Sequence, residues 1–459
     1  MQARITSTVS SFGAKPCLIS AQARMSYEEF SERVTLWTRR LGALPDIGGA
    51  VVAVRGDYSA DACAAIIALA EARAIVVPLS PSAAARVDQC LDVAGVDTVV
   101  TLAPTCDWLL ERRPAKEPRH ALIETLRHQG TPGLILFSSG STGQSKASVF
   151  DLEKLIAAKF RHTPSRTYRT LIFLLLDHIG GINTLLHTLC HGGTLVTPED
   201  RSPDSVCRAI EKERVQLLPT SPTFLNMLLI SGTHKRYDLS SLELITYGTE
   251  PMPVTTLVAL REALPGVKLK QTYGLTELGV LPTQSKESGS LWMKIGGAGF
   301  EHKVVDGVLW VRSPSAMLGY INAPAPFDAD GWFNTHDMVE TDGDYLRILG
   351  RRSEIINVGG EKVYPVEVED ALLAAGNVRD AMVFGQANPV TGQVVVAQVS
   401  SISPEEPSVM ARRLRSFCAT RLDRYKVPVR IEIVDGDQRN DRFKKARVPS
   451  GQGGRVKDP

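Results

Sequence analysis

Leu134-Ile-Leu-Phe-Ser-Ser-Gly-Ser-Thr-Gly-Gln-Ser-Lys146 runs from a short apolar stretch into a loop made almost entirely of hydroxyl residues and glycine, closed by one lysine. Leu134–Phe137 reads as a strand and Leu152–Phe160 as a helix with Asp151 as its N-cap, which predicts a strand-to-helix loop. Hydroxyls, backbone N–H groups and the Lys146 ammonium then make a cradle for phosphate. A solvated Ser/Gly linker has the same composition. The loop also lacks the spacing of the Gly-x-x-x-x-Gly-Lys nucleotide loop. The remainder of the chain has to decide between these readings.

Outward from this loop the chain alternates strands and helices. After Leu152–Phe160 come a strand Leu171–Leu176, a helix Ile182–Leu189 and a strand Thr194–Thr197. They are followed by Ser205–Glu213, Leu217–Leu218, Thr223–Leu229, Leu242–Tyr247, Val254–Ala263 and Val267–Gln271. Such alternation from Gly133 to Thr272 predicts a parallel, doubly wound sheet, with ligands at the carboxyl ends of its strands. The same rhythm appears earlier in Val51–Val54, Asp61–Glu71 and Ile75–Val77. From Glu301 to Leu349, short alternating runs with Asp306-Gly307 and Asp342-Gly343 turns predict a small antiparallel sheet or barrel. Beyond Gly350-Arg351 the pattern is a compact α+β unit: a helix Pro365–Ala374, strands Ala381–Gly385 and Val394–Val399, a helix Val409–Leu422 and a strand Val429–Val434. The expected fold is α/β: a large N-terminal domain of doubly wound mixed sheets plus a small β-barrel, then a small mobile α+β domain.

Composition sets outer limits. A chain of 459 residues exceeds one hydrophobic core, and 43% hydrophobic with 22% charged residues is ordinary for a globular protein. Lys and Arg number 52 against 50 Asp and Glu, which argues against a generic nucleic-acid binder. The apolar stretch Ala62–Leu79 is interrupted by Glu71 and Arg73, and Leu171–Leu176 is too short to span a bilayer. With no apolar leader after Met1, a soluble, cytoplasmic protein without a membrane span is expected. Seven scattered cysteines with no C-x-x-C pair support neither a disulfide framework nor a zinc cluster. His187 and His191 have the spacing of a helical metal pair but lack the glutamate between them, and Gly192-Gly193 places His191 in a helix's last turn instead.

Further motifs recur in order. Gln271-Thr-Tyr-Gly-Leu-Thr-Glu277 follows a strand. Thr335-His-Asp337, Gly350-Arg351 and Val358-Gly-Gly-Glu-Lys-Val-Tyr-Pro-Val-Glu-Val-Glu369 come after it. Together with Ser138 to Lys146 they resemble the adenylate-forming superfamily of AMP-binding enzymes: acyl-CoA synthetases, adenylation domains of peptide synthetases, and luciferases. Met25-Ser-Tyr-Glu-Glu-Phe, Asp61 through Pro81, and Tyr425-Lys-Val-Pro extend the resemblance over nearly the whole chain.

The resemblance implies a role for each matching position. Ser138, Ser139, Gly140, Ser141, Thr142, Gly143 and Lys146, with Thr276, would hold the ATP triphosphate, and Glu277 would bind Mg²⁺. Tyr273, Gly274 and the turn Gly248-Thr249-Glu250-Pro251 would flank adenine. Asp337 and Arg351 would hold the ribose hydroxyls. His178, in Asp177-His-Ile-Gly-Gly, would line the acid pocket with Gly248 and Gly274, and Asp177 is the candidate partner for an amine if the substrate is an amino acid. Gly359 and Gly360 would line a tunnel for the thiol of coenzyme A or of a phosphopantetheinyl carrier protein. Ser353 would be the hinge. The implied division is residues 1–350, a hinge at 351–353, a lid domain at 354–448 and a disordered tail at 449–459.

Arg439 to Arg447 resembles the closing catalytic loop and places Lys444 at the catalytic position, with Lys445 as the alternative because Phe443 replaces a turn glycine. Ala411–Val448 carries 12 Lys and Arg against 5 Asp and Glu, a face suited to an acidic carrier protein or the phosphates of coenzyme A. Ser145, Ala147, His336 and Ser353 are other departures from the family pattern. The resulting expectation is ATP-dependent activation of a small carboxylic acid to an acyl-adenylate, then transfer to a thiol, most simply coenzyme A. A carrier-protein loader, an amide-forming enzyme and a non-catalytic nucleotide binder are the rivals.

Overall fold

The alanine-rich stretch after Ser59 forms a helix, Ala60–Glu71, in which every residue from Asp61 to Ala70 is buried. A helix apolar on all sides has to be covered on all sides. The cover comes from two sheets and from helices Tyr27–Gly42 and Ile179–His191, which share one core: Leu18 and Leu195 from the first sheet, with Ile172 just past its strand Arg169–Leu171, and Val52, Val76, Leu136 and Phe150 from the second. The carboxylate inside the buried stretch, Asp61, is met by Trp37 Nε1 at 2.8 Å and Arg33 Nη1 at 2.9 Å, so its charge is paired where water is excluded.

The computed structural model describes residues 5–102, 108–114, 117–139, 145–160 and 166–434. The first sheet has seven strands in the order Lys268–Gln271, Leu244–Tyr247, Leu217–Thr220, Arg169–Leu171, Thr194–Val196, Pro16–Ile19 and Arg24–Ser26. Its pairs are parallel except the last. The second sheet, also seven-stranded, runs Gly319–Tyr320, Ser145–Asp151, Gly133–Ser139, Ile75–Leu79, Val51–Arg55, Thr98–Leu102 and Trp108–Arg112. Its central strands are parallel and its flanks antiparallel. The expected mixed α/β architecture is therefore present.

Three expectations are corrected in detail. The alternation from Gly133 to Thr272 does not build one sheet: Gly133–Ser139 pairs with Ile75–Leu79 in the second sheet, while the strands from Arg169 onward build the first. Periodicity reports that a strand is buried, not which strand lies beside it. The loop after Phe137 is not a strand-to-helix loop either. Ser138 pairs with Lys146 and Ser139 with Ser145 in an antiparallel hairpin, and the helix Leu152–Phe160 starts only after the return strand. The strand expected over Leu171–Leu176 stops at Leu171, because the chain turns there to enter the helix Ile179–His191. That helix ends at His191 with Gly192 left-handed at its C-cap, as the glycine pair predicts.

A two-stranded hairpin, Tyr273–Leu275 with Gly279–Leu281, leads into a six-stranded antiparallel sheet ordered Thr283–Ser285, Met293–Ile295, Tyr345–Arg351, Phe333–Asp342, Val308–Arg312, Glu301–Val305. From Ile356 a five-stranded sheet with helices Pro365–Leu373 and Pro407–Ala419 encloses a core of its own. It meets the larger part where Thr255 N and Oγ1 donate to Asp370 Oδ1 and Asn226 Nδ2 donates to the Arg379 carbonyl. No helix among the described residues is long and apolar enough to cross a membrane. Six cysteines of the described residues are buried, and no disulfide joins them.

Gly181 is a steric requirement of this arrangement: a Cβ there would lie 1.9 Å from the Leu175 carbonyl oxygen. Gly181→Ala is expected to push the 174–178 turn away from the helix and to cost about 1–3 kcal/mol, read as an earlier urea or thermal unfolding transition.

Candidate active site

Two clusters of polar side chains form beside the Tyr273–Leu275 hairpin. The first joins three sequence-predicted residues. Asp337 and Arg351 are register partners on adjacent strands, with Arg351 Nε 3.4 Å from Asp337 Oδ1. Tyr273 donates its hydroxyl to Asp337 Oδ2 at 2.6 Å. Asp337 N in turn donates to Thr335 Oγ1 at 3.1 Å. Asp337 is only 7% exposed, and burial raises its carboxyl above the usual range although Arg351 opposes the shift. A buried carboxylate beside a guanidinium suits the task of accepting two sugar hydroxyls. His336, where the family has glycine, adopts φ +59°, so the left-handed backbone is retained with a side chain in place.

The second cluster joins the two phosphate motifs through a residue that sequence reasoning missed. Tyr320 donates to Glu277 Oε1 at 2.5 Å, and the Lys146 ammonium lies 5.2 Å from the centre of the same ring. Tyr320 is buried on a two-residue strand that pairs with Ser148 and Val149. Asn322 holds the base of the phosphate hairpin, accepting from Ala147 N at 2.9 Å and donating to Ser145 O at 2.8 Å. Arg86 reaches Ser145 Oγ at 2.6 Å and adds a second cation there. Nothing in the composition of a Gly-Tyr pair or a lone arginine marks such a role.

Gly140, Ser141, Thr142 and Gly143 lie outside the described residues, as do Lys444 and Lys445; Ser138 and Ser139 end the strand that leads into the loop. No group of three or more His, Cys, Asp or Glu side chains among the described residues could hold a metal. Thr276 and Glu277 occupy the turn between Tyr273–Leu275 and Gly279–Leu281.

The predicted adenine turn is strained and tightly packed. Thr249 has φ +76°, and its buried Oγ1 has no partner among the described residues. A Cβ on Gly248 would approach Thr272 O within 2.7 Å, and one on Gly274 would approach Gly279 O within 2.7 Å. Glu250 Oε1 accepts from Thr223 N at 2.8 Å and so caps the helix Pro222–Ser231.

The acid-pocket candidates sit at the entrance of the helix Ile179–His191. His178 is its N-cap, with Nδ1 accepting from Gly180 N at 3.1 Å. Asp177 is buried and accepts the Ser80 hydroxyl at 2.7 Å, which ties the helix entrance to the end of the Ile75–Leu79 strand. In the C-terminal unit, Gly359 and Gly360 form the tight turn between Ile356–Val358 and Glu361–Val363, with φ +62° and +95°. A Cβ on either would meet nothing within 4 Å, so it is the turn conformation that calls for glycine here. Ser353 is exposed in a short 3₁₀ turn, Arg352–Glu354.

With this geometry the comparisons with known proteins agree. The family model of AMP-binding enzymes matches residues 5–321, and that of the AMP-binding enzyme C-terminal domain matches residues 367–444. The chain belongs to the AMP-binding enzyme family, whose adenylate-forming chemistry uses ATP. An indoleacetate–CoA ligase of Aromatoleum aromaticum is 31% identical over 398 residues, spanning 80% of this chain and 76% of that protein. A feruloyl-CoA synthase of an Amycolatopsis species is 28% identical over 452 residues, 90% of each. Among solved structures, the anthranilate CoA ligase AuaEII in complex with anthranoyl-AMP matches with a TM-score of 0.80 at 19% identity, over 96% of this chain and 95% of that one, a likeness of fold.

Two outcomes follow from the clusters. Tyr320→Phe keeps the ring beside Lys146 but removes the donor to Glu277, and is expected to lower pyrophosphate exchange roughly tenfold, the order expected for a hydrogen bond to a charged group, while circular dichroism stays unchanged. Asp337 has a raised pKa, so as pH falls it takes up a proton, and loses an acceptor, earlier than an ordinary aspartate would. Nucleotide affinity should therefore drop on acidification at a pH above the ordinary 3.8 of an aspartate, and calorimetric titrations of ATP at stepped pH should find that limb missing in Asp337→Asn.

Proposed function

We propose that this chain is an AMP-forming acid–CoA ligase whose substrate is a small carboxylic acid bearing an aromatic ring. The observation that carries the reading is the presence of two neighbouring clusters, Lys146, Tyr320 and Glu277 in one and Tyr273, Asp337 and Arg351 in the other, with Glu277 close enough to act on Asp337. Such a pair of clusters suits the phosphates and the ribose of one nucleotide. The names of the relatives, for indoleacetate and feruloyl-CoA, support coenzyme A as acceptor and an aryl acid as substrate.

In this reading an oxygen of the acid attacks the α-phosphorus of ATP, and the bond from the α-phosphorus to the α,β-bridging oxygen breaks, so that the β- and γ-phosphates leave together as pyrophosphate. Lys146 and the hairpin amides hold the departing phosphates, and Tyr320 keeps the Glu277 carboxylate in place. Glu277 would hold a Mg²⁺, which would supply charge neutralisation at the phosphates. Asp337 and Arg351 orient the ribose. The thiol of coenzyme A then attacks the acyl carbon, AMP leaves, and the thioester is released. Lys444 is assigned to the first step by resemblance, and Gly359-Gly360 to the second. Rotation of the C-terminal unit about Ser353 would bring each in turn, with the division at residues 350 and 354 proposed on the same ground.

Pyrophosphate exchange with a panel of aryl acids, followed by thioester formation with coenzyme A, a carrier protein or an amine as acceptor, tests the reading. Exchange with at least one aryl acid and thioester formation with coenzyme A are expected. Glu277→Ala should lose exchange by two or more orders of magnitude, roughly 3 kcal/mol, with the fold intact. No exchange with any acid in the wild type would sink the proposal, and near-normal exchange in Glu277→Ala would remove Glu277 from the site.

A further inference from the structure

The helix Ile179–His191 buries Ile182, Leu185, Leu186 and Leu189 in the core. Asn183, His187 and His191 recur at four-residue spacing on another side and make a polar stripe. Lys159, near the end of helix Leu152–Phe160 and half buried, donates to Asn183 Oδ1 at 2.5 Å. One and two turns further along the stripe come His187 and His191, with ring centres 4.6 Å apart and His191 Nδ1 2.7 Å from the His187 carbonyl. The edge strand Lys268–Gln271 completes the cluster. Leu269 packs into the core on one face of the sheet, so Lys270 projects from the other, next to its register partner Thr246.

Four basic side chains from three elements thus come together. No carboxylate acts on either lysine among the described residues. Burial pulls Lys159 down to about 8 and Lys270 below its ordinary range. His187 is pulled down to about 4, first by desolvation and then by the like charges of His191, Lys159 and Lys270, although the residue retains an exposed surface. Amines held where water is scarce and no counter-charge is supplied are unfavourable, and an incoming anion relieves that cost. The cluster also has a defined relation to the site. Lys270 precedes Tyr273 by three residues and Thr246 precedes Gly248 by two, which in a strand is roughly 7–10 Å. His187 follows His178 by nine residues, about 13 Å along the helix.

We propose that Lys159, Asn183, His187 and Lys270 form the distal end of the acid site, and that the acid substrate carries a second anionic group, a carboxylate in the simplest case, roughly 7–13 Å from the carboxyl that is activated. The proposal rests on the ligase reading above and narrows its substrate class from aryl monoacids to aryl acids with a remote anion.

The test compares 3-phenylpropanoate with 3-(3-carboxyphenyl)propanoate and 3-(4-carboxyphenyl)propanoate in pyrophosphate exchange, for the full chain and for Lys159→Met and Lys270→Met. A diacid should exceed the monoacid at least tenfold in kcat/KM, and each variant should shrink that ratio to near one, mainly through KM. General damage to the fold would lower all three acids together and leave the ratio alone. Equal or better use of the monoacid by the wild type, with the ratio unmoved in both variants, overturns the proposal and leaves the ligase reading standing. Calorimetric titration of the diacids without ATP separates the remaining case. Diacid binding that is lost in Lys159→Met, with no exchange by any acid, keeps the anion site and sinks the ligase reading. Absence of both preferential exchange and Lys159-dependent binding overturns the site itself.

Discussion

The short segment from Ser313 to Asn322 is the joint on which the active-site geometry depends. The phosphate hairpin belongs to one sheet and the Thr276–Glu277 turn to the entrance of another, so each motif is held by a different set of strands. The segment bonds to both. Met317 N donates to Glu277 O at 2.9 Å and Ser313 Oγ to Leu278 O at 2.9 Å. On the other side Leu318 N donates to Val149 O at 2.7 Å and Ile321 N to Ala147 O at 2.9 Å. Backbone hydrogen bonds fix separation and orientation together, which is why a two-residue strand can bring a lysine and a glutamate from distant parts of the chain to the same tyrosine.

The two clusters beside that joint are balanced differently. Around Asp337 the carboxylate is buried, and Tyr273 and Arg351 compensate for the lost water, leaving a polar group committed to the site yet able to accept further hydrogen bonds. Around Glu277 the contacts are fewer, one hydroxyl to one carboxylate oxygen, a geometry open to a cation and to phosphate. The lysine and histidine cluster further along the helix Ile179–His191 has the opposite character: two amines beside two imidazoles, with no carboxylate acting on either lysine among the described residues. In the proposed reading, negative and hydroxyl groups lie where sugar and metal would bind, and basic groups lie where the phosphates and the distal anion would.

The C-terminal unit is tied to the rest by few polar contacts, Asp370 to Thr255 and Asn226 to the Arg379 carbonyl. It has a core of its own, with Val368, Leu372, Val395, Val399 and Leu414 buried. A unit with a separate core and a sparse polar seam can change its docking without unfolding. The Gly359-Gly360 turn faces open space in the present docking.

Local geometry was legible in the residues themselves. Asp151 accepts from Lys154 N at 3.0 Å and starts the helix Leu152–Phe160, and Val254–Ala263 is helical over the span its apolar spacing implies. The order of the Ser/Gly loop, Tyr273-Gly-Leu-Thr-Glu277, Asp337 and Arg351 also sufficed to assign a family and a nucleotide, because each motif carries its chemistry in adjacent residues. Tertiary structure alone decided that the Ser/Gly loop caps a hairpin rather than opening a helix, that Gly133–Ser139 joins Ile75–Leu79, and that Tyr320 bridges Lys146 and Glu277. It alone gathered Lys159, His187 and Lys270. The physical reason is common to all four. Helix caps and periodicities arise from hydrogen bonds and side-chain directions a few residues apart, whereas strand partners and side-chain clusters are chosen by competition among segments that pack together in three dimensions, most of them tens of residues or more apart in the chain, which no local spacing records.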